Sequence, residues 1–272
     1  MALRPDNRFT TSGSAWTNPL GGGFAAGAPS QVQTAALDAG LRAYMLRVYN
    51  WMASGLVLTA IVAYVVANTG LAGLFYTVGS RGGVVTTSPT ILGWVAMLSP
   101  LAFVLVLSFG YNRLSKTTAQ ALFCAFAVCM GASMANIFAR YVGASIASTF
   151  FVAAGMFAAV SLYGYTTKRD LTKMGSFLMM GLIGIILAGL VNMFLQSSAL
   201  HFAISAIGVL VFVGLTAWDT QRIKADYVEY AYAEGTEEAG KRSVFDALAL
   251  YLNFINLFQF LLQFMGVRTQ SE

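Results

Sequence analysis

The chain has 272 residues, of which 57% are apolar and 10% charged, with a formal net charge of +5. A soluble domain carries roughly a quarter charged residues, so this composition excludes a wetted globular surface and points to an integral membrane protein. At about 20 residues per crossing, the length holds about six to eight spans and leaves no room for a separate globular domain. The positive charge then speaks for loops against an anionic membrane face, with lipid as partner, and not for nucleic acid.

Residues 1–40 are rich in Gly, Ala, Ser and Asn, include Gly21-Gly22-Gly23, and lack the apolar core of a signal peptide. They are expected to form a disordered cytoplasmic tail ahead of a seven-span domain over 41–268. Seven apolar runs follow: Val48–Ala67, Ile91–Gly110, Ala119–Phe138, Val142–Leu162, Met174–Leu195, Phe202–Trp218 and Val244–Met265. Each can cross about 30 Å of hydrocarbon as helix, the sixth only marginally. Ser99 and Pro100 sit inside the second run, where the proline frees a carbonyl that needs another donor. Gly131–Ala135, Ala154–Ala158 and Gly155–Ala159 have the four-residue spacing that lets helix backbones approach in lipid. Cys124 and Cys129 lie within the third run, which excludes a disulfide-stapled ectodomain or a thiolate metal cage.

If the seven runs alternate in direction, thirteen of the sixteen basic residues fall on the side of the N-terminal tail. They are Arg4, Arg8, Arg42, Arg47, Arg113, Lys116, Lys168, Arg169, Lys173, Arg222, Lys224, Lys241 and Arg242. Only Arg81 and Arg140 lie opposite, and Arg268 follows the last run. The asymmetry predicts a cytoplasmic N-terminus. The C-terminus is then outside if the seventh run crosses, and inside if it is re-entrant.

That seventh run carries Asn253, Asn256, Gln259 and Gln263, whose steps of three, three and four place them on one helix face. A polar stripe along a span avoids lipid, so this helix is expected at the centre of an all-α bundle, wrapped by the other six. Two readings stand side by side: a row of interhelical amide hydrogen bonds, or the lining of a water-filled path. Ser243-Val244-Phe245-Asp246 fits a capping box and predicts a helix start, which gives Asp246 a local role. Asp219 closes the sixth run and needs a cation near the hydrocarbon edge. Arg222 is available locally, three residues on. Arg113, at the same face at the end of the second run, is the partner favoured here, and an interfacial ion pair or snorkelling charge is the simpler account of both.

Signals for an enzyme are absent. His201 is the single histidine, placed at a loop edge as a wetted residue. Gly131-Ala132-Ser133 and Gly143-Ala144-Ser145 superficially suggest an intramembrane serine nucleophile, yet no suitably placed base accompanies them. No phosphate-binding loop or dinucleotide fingerprint occurs, and no cofactor is expected.

Three segments carry a family resemblance. Tyr163-Gly164-Tyr165-Thr166-Thr167-Lys168-Arg169-Asp170-Leu171, continued by Met174-Gly175-Ser176-Phe177-Leu178, resembles the junction of the fourth and fifth helices in bacterial Bax inhibitor-1 family proteins. Ala217-Trp218-Asp219-Thr220-Gln221-Arg222-Ile223-Lys224 resembles their sixth-helix signature, and Leu250-Tyr251-Leu252-Asn253-Phe254-Ile255-Asn256-Leu257-Phe258 their last-helix signature. The resemblance covers about residues 40–268. It implies a multi-pass inner-membrane protein with six helices around a central seventh, acting as a pH-sensitive calcium leak channel. In the family, aspartates on the last two helices sense protons, and an arginine ending the second helix latches one of them. Asp219 matches the first aspartate, Arg113 the arginine, and Asn253 stands where the second aspartate is expected. Two close carboxylates share a proton, so with Asn253 the acid response should be weaker or displaced to lower pH. One carboxylate and an amide also make a weak calcium site at Asp219, with calcium as permeant ion. The resemblance equally implies a rival role, a regulator that binds a membrane protease or another membrane protein. For that role the tail and the 222–242 loop, with Tyr227, Tyr230 and Tyr232, would be contact surfaces.

Overall fold

The computed structural model describes residues 31–81, 83–110, 113–230 and 235–269. Its elements are α1 (Gln31–Ala67), α2 (Ala72–Phe75), β1 (Tyr76–Arg81), β2 (Val84–Pro89), α3 (Ile91–Gly110), α4 (Lys116–Met134), α5 (Ile137–Arg140), α6 (Gly143–Thr166), α7 (Thr172–Leu195), α8 (Ser198–Tyr230) and α9 (Thr236–Met265). The protein is an all-α membrane protein. Among the described residues six helices are long and apolar enough to cross a bilayer, and α3 contributes a shorter apolar helix.

Helix ends depart from the expected ones where polar residues find partners. The expected tail lies outside the described residues over 1–30, but α1 already begins at Gln31. Its first turns have no interior proline and lead into Leu41, Tyr44, Met45 and Val48, all buried. The sixth run is the apolar part of the 33-residue α8, which continues through Asp219, Gln221 and Lys224 because each has a partner on another segment. Pro100 lies inside α3, and the Ser99 hydroxyl donates to Ala96 O at 3.0 Å. That carbonyl is the one a proline at position 100 deprives of its helical donor.

Two close approaches set helix spacing. A Cβ on Gly131 would stand 2.6 Å from Thr59 O of α1, and one on Gly164 only 2.3 Å from Ala217 O of α8. Glycine is needed at both. Ala154 and Ala158 instead line an apolar cleft between α1 and α6, and a Cβ on Gly155 would meet nothing.

The burial pattern puts α9 at the centre. Of its apolar window 67% is buried, against 11% for α7. It packs against α8, α1, α6 and α4, while α3 rests mainly on α4 and α7 on α8. Four of the helices around α9 touch it closely, and α3 and α7 reach the bundle mainly through α4 and α8. The outer helix α7 presents a largely apolar face away from the bundle. It turns Phe177, Met180 and Phe194 outward, each more than 70% exposed.

The hairpin β1–β2 was not anticipated. It pairs Tyr76 with Pro89 through to Arg81 with Val84, and Gly83 in its turn takes a positive φ of 77°, which glycine adopts without Cβ strain. After α9 the chain pairs Arg268 with Tyr141, and Thr269 N donates to Arg140 O at 2.9 Å while its carbonyl accepts from Val85 N at 3.2 Å. The hairpin, α5 and the C-terminal segment thus gather at one end of the bundle, and α9 runs the full length to reach them.

Candidate functional site

Asp219 is the polar centre of the bundle. It lies on α8 with 6% exposure, and both carboxylate oxygens are engaged. Asn253 Nδ2 of α9 donates to Oδ2 at 2.7 Å, and the Arg222 guanidinium, one turn along α8, meets Oδ1 at 2.7 Å. Burial of a carboxylate demands such a counter-charge and donors. Arg222 also lies over the Trp218 ring at 5.1 Å, a cation–π contact that fixes the guanidinium between ring and carboxylate.

The structure therefore brings Asp219 and Asn253 together and gives Asp219 a different arginine from the favoured one. Arg113 follows α3, which rests on α4 at the bundle's outside; it is exposed and forms no ion pair with Asp219. The reason is geometric. An i,i+3 pair on one helix is set by local backbone alone, whereas Arg113 belongs to a helix that packs away from α8.

Asp246 is the second correction. The helix containing it starts ten residues earlier, with Gly235 at the N-cap, so Asp246 caps nothing. It is buried at 8% exposure and accepts from the Tyr44 hydroxyl of α1 at 2.5 Å. Its signal was present in the spacing, since 246 and 253 are seven residues apart and fall on one helix face. Arg222 acts electrostatically on both Asp219 and Asp246, with Asp226 as a common repulsive neighbour. The site thus holds two buried carboxyls on α8 and α9, Asp219 paired with Arg222 and Asp246 bonded by Tyr44.

Hydroxyls extend this polar core. Ser161 of α6 shares a hydrogen bond with Thr220 at 3.0 Å and another with Tyr49 of α1. Thr59 of α1 pairs with Tyr251 of α9 at 2.6 Å. The signature residues after Asp219 work as clamps. Gln221 accepts from Leu171 N at 2.8 Å and donates to Arg169 O at 2.7 Å. Lys224 donates to Tyr165 O at 2.9 Å. Both fasten the α6–α7 turn to α8, which explains why that turn and the sixth-helix segment bear matching motifs. Asp170 in the turn accepts from Thr172 N at 2.9 Å. The Thr172 hydrogen bonds hold its carboxyl below the ordinary carboxylate range.

The amide stripe lines a cavity of about 530 Å³ toward the hairpin end. Asn256, Gln259 and Gln263 face it, as do Asn136, Arg140, His201 and Arg268. Asn256 donates to Leu252 O of its own helix at 2.8 Å, and Gln263 accepts from Ser205 of α8 at 3.2 Å. Of the stripe, Asn253 and Gln263 thus tie α9 to α8, while Asn256 and Gln259 line the cavity without a bond to another helix among the described residues. Among the described residues no group of three or more His, Cys, Asp or Glu side chains is arranged to hold a metal ion, and Asp219 offers a cation one carboxylate that is already paired.

The profile of a protein family described as "Inhibitor of apoptosis-promoting Bax1" matches residues 41–270. The chain belongs to the Bax inhibitor-1 family. Inner membrane protein YbhL of Escherichia coli is 47% identical over 231 residues, covering 85% of this chain and 94% of that one. An uncharacterized protein of Rickettsia prowazekii is 46% identical over 232 residues, 85% and 92% of the two chains. An uncharacterized membrane protein of Streptococcus pyogenes is 31% identical over 229 residues, 84% and 94%. The Bax inhibitor-1 match spans the whole helical bundle and includes all three motifs, so the buried Asp219–Asn253 contact belongs to the part of the chain that defines the family.

Proposed function

We propose that this Bax inhibitor-1 protein is a pH-modulated cation leak channel of the inner membrane, with calcium as permeant ion and the Arg222–Asp219–Asn253 cluster as its closure. The carrying observation is the continuity of polar groups along α9. The cavity reaches Asn256, and Asn253 follows three residues deeper, about 4.5 Å along the helix axis. On this reading the path from the hairpin end leads past Asn256 toward Asn253 and is stopped by the Asp219 ion pair. A buried carboxylate at the end of a polar path attracts cations, and its own arginine competes with them for it. Arg140 and Arg268 in the cavity lining oppose cation access, which fits a slow leak and not a high-throughput pore. The N-terminus is assigned to the cytoplasm by the distribution of basic residues.

The test is calcium flux across proteoliposomes over a pH series, comparing the parent with Asn253→Asp. A second carboxylate in contact with Asp219 introduces a shared proton, so the acid response should strengthen. An unchanged pH profile would show that position 253 does not control gating. The rival reading, a regulator docking on a membrane protein, is favoured by the broad outward face of α7. It predicts retained partner recovery in variants that have lost flux.

A further inference from the structure

The cavity at the hairpin end has a chemistry that the leak path does not use. Arg140, Arg268 and His201 converge on it from three separate segments, and Asn136, Asn256, Gln259 and Gln263 add amides. No acidic side chain is among its lining residues. The convergence is built by the fold. The Arg268–Tyr141 bridge places the two arginine-bearing segments side by side, and His201 enters from the first turn of α8, whose N-terminal end adds positive potential.

Two cationic side chains facing one cavity repel each other unless something compensates them. Arg140 spends two donors on Thr87, Nε to Oγ1 at 2.7 Å and a terminal nitrogen to the carbonyl at 3.1 Å. A guanidinium has five N–H donors, so three remain. Arg268 has no hydrogen-bond acceptor or ion-pair partner among the described residues. The hairpin thus holds Arg140 in place while leaving both guanidinium groups free to donate into the cavity. Arginine forks and amide N–H groups are the donors that oxyanions take.

We infer that this cavity is a binding site for a small phosphate-type oxyanion, held by Arg140 and Arg268 and flanked by His201 and the α9 amides. The volume exceeds that of a bare ion, so an organic phosphate fits, either a soluble one or the headgroup of a lipid in the adjoining leaflet. The site shares its cavity with the proposed leak path but does not depend on conduction, and binding is measured without flux.

The test uses the full chain purified in neutral detergent. Calorimetric titration with glycerol phosphate should show saturable binding, competed by inorganic phosphate. Native mass spectrometry with phosphatidylglycerol and phosphatidylcholine forms the lipid arm. Arg268→Gln should weaken binding by about tenfold or more, equivalent to about 1.4 kcal/mol. Arg268 follows the last helix with an uncommitted side chain, so the variant is expected to fold, and thermal unfolding of the same sample checks this. His201→Asn serves as a second, smaller probe. Saturable glycerol phosphate binding lost in Arg268→Gln assigns the site to soluble phosphates. Selective retention of phosphatidylglycerol, lost in the same variant, assigns it to headgroups. Absence of both, or equal binding by a folded Arg268→Gln, overturns the inference.

Discussion

Replacing Asp219 by Asn keeps an acceptor for Asn253 and removes only the charge, so it isolates the ion pair with Arg222. At a charge separation of about 4 Å and an effective dielectric near 20, the Coulomb attraction is about 4 kcal/mol. The Arg222 side chain is 39% exposed and the Asp219 side chain 9%, so solvent screening reduces this to about 1–2 kcal/mol, above the range of fully exposed pairs. If the pair closes the path, losing that energy shifts the closed–open balance by about 5- to 30-fold. Basal calcium leak from dye-loaded proteoliposomes at neutral pH should rise by that factor in Asp219→Asn and in Arg222→Gln. The double variant should leak no more than either alone, because both remove the same contact. Arg113→Gln should leave the leak at the parent level. Tight Asp219→Asn and Arg222→Gln proteins would refute the closure, and an Arg113→Gln protein as leaky as Asp219→Asn would return the latch to Arg113.

Tyr44→Phe removes the hydroxyl donor to buried Asp246 and should lower unfolding stability by about 1–3 kcal/mol, read by thermal denaturation in detergent; an unchanged melting temperature would mean that Asp246 finds another donor. Gly164→Ala would place a Cβ 2.3 Å from Ala217 O, and separating α6 from α8 should cost about 1–3 kcal/mol in the same assay. Asp170 has a depressed folded-state pKa from its Thr172 hydrogen bonds. Its stabilisation is therefore complete above the ordinary carboxylate value of about 4 and lost as pH falls through the lower folded value. The Asp170→Asn deficit should accordingly be the same at about pH 7 and about pH 5 and shrink only in stronger acid, as a melting series would show.

The sequence alone determined that this is a polytopic membrane protein, where its apolar runs lie, and that the amide-striped last run belongs at the centre. Those features follow from the cost of leaving polar groups in hydrocarbon, which acts on each segment separately. It also brought Asp219 and Asn253 forward, through motifs local to two helices. Tertiary structure decided the partners. Arg222 and not Arg113 meets Asp219 because α3 packs on the outer side of α4. Asp246 answers to Tyr44 on α1 because α9 begins ten residues before Asp246, at a start that no apolar pattern marks. The bridge that sets Arg268 beside Tyr141, next to Arg140, pairs segments more than a hundred residues apart. Helix formation and span length depend on neighbours in the chain, and a charge's partner depends on which helices touch. That is why the 10% of charged residues first placed the chain in a membrane, and only the packed bundle sorted them into clamp, buried ion pair and cavity lining.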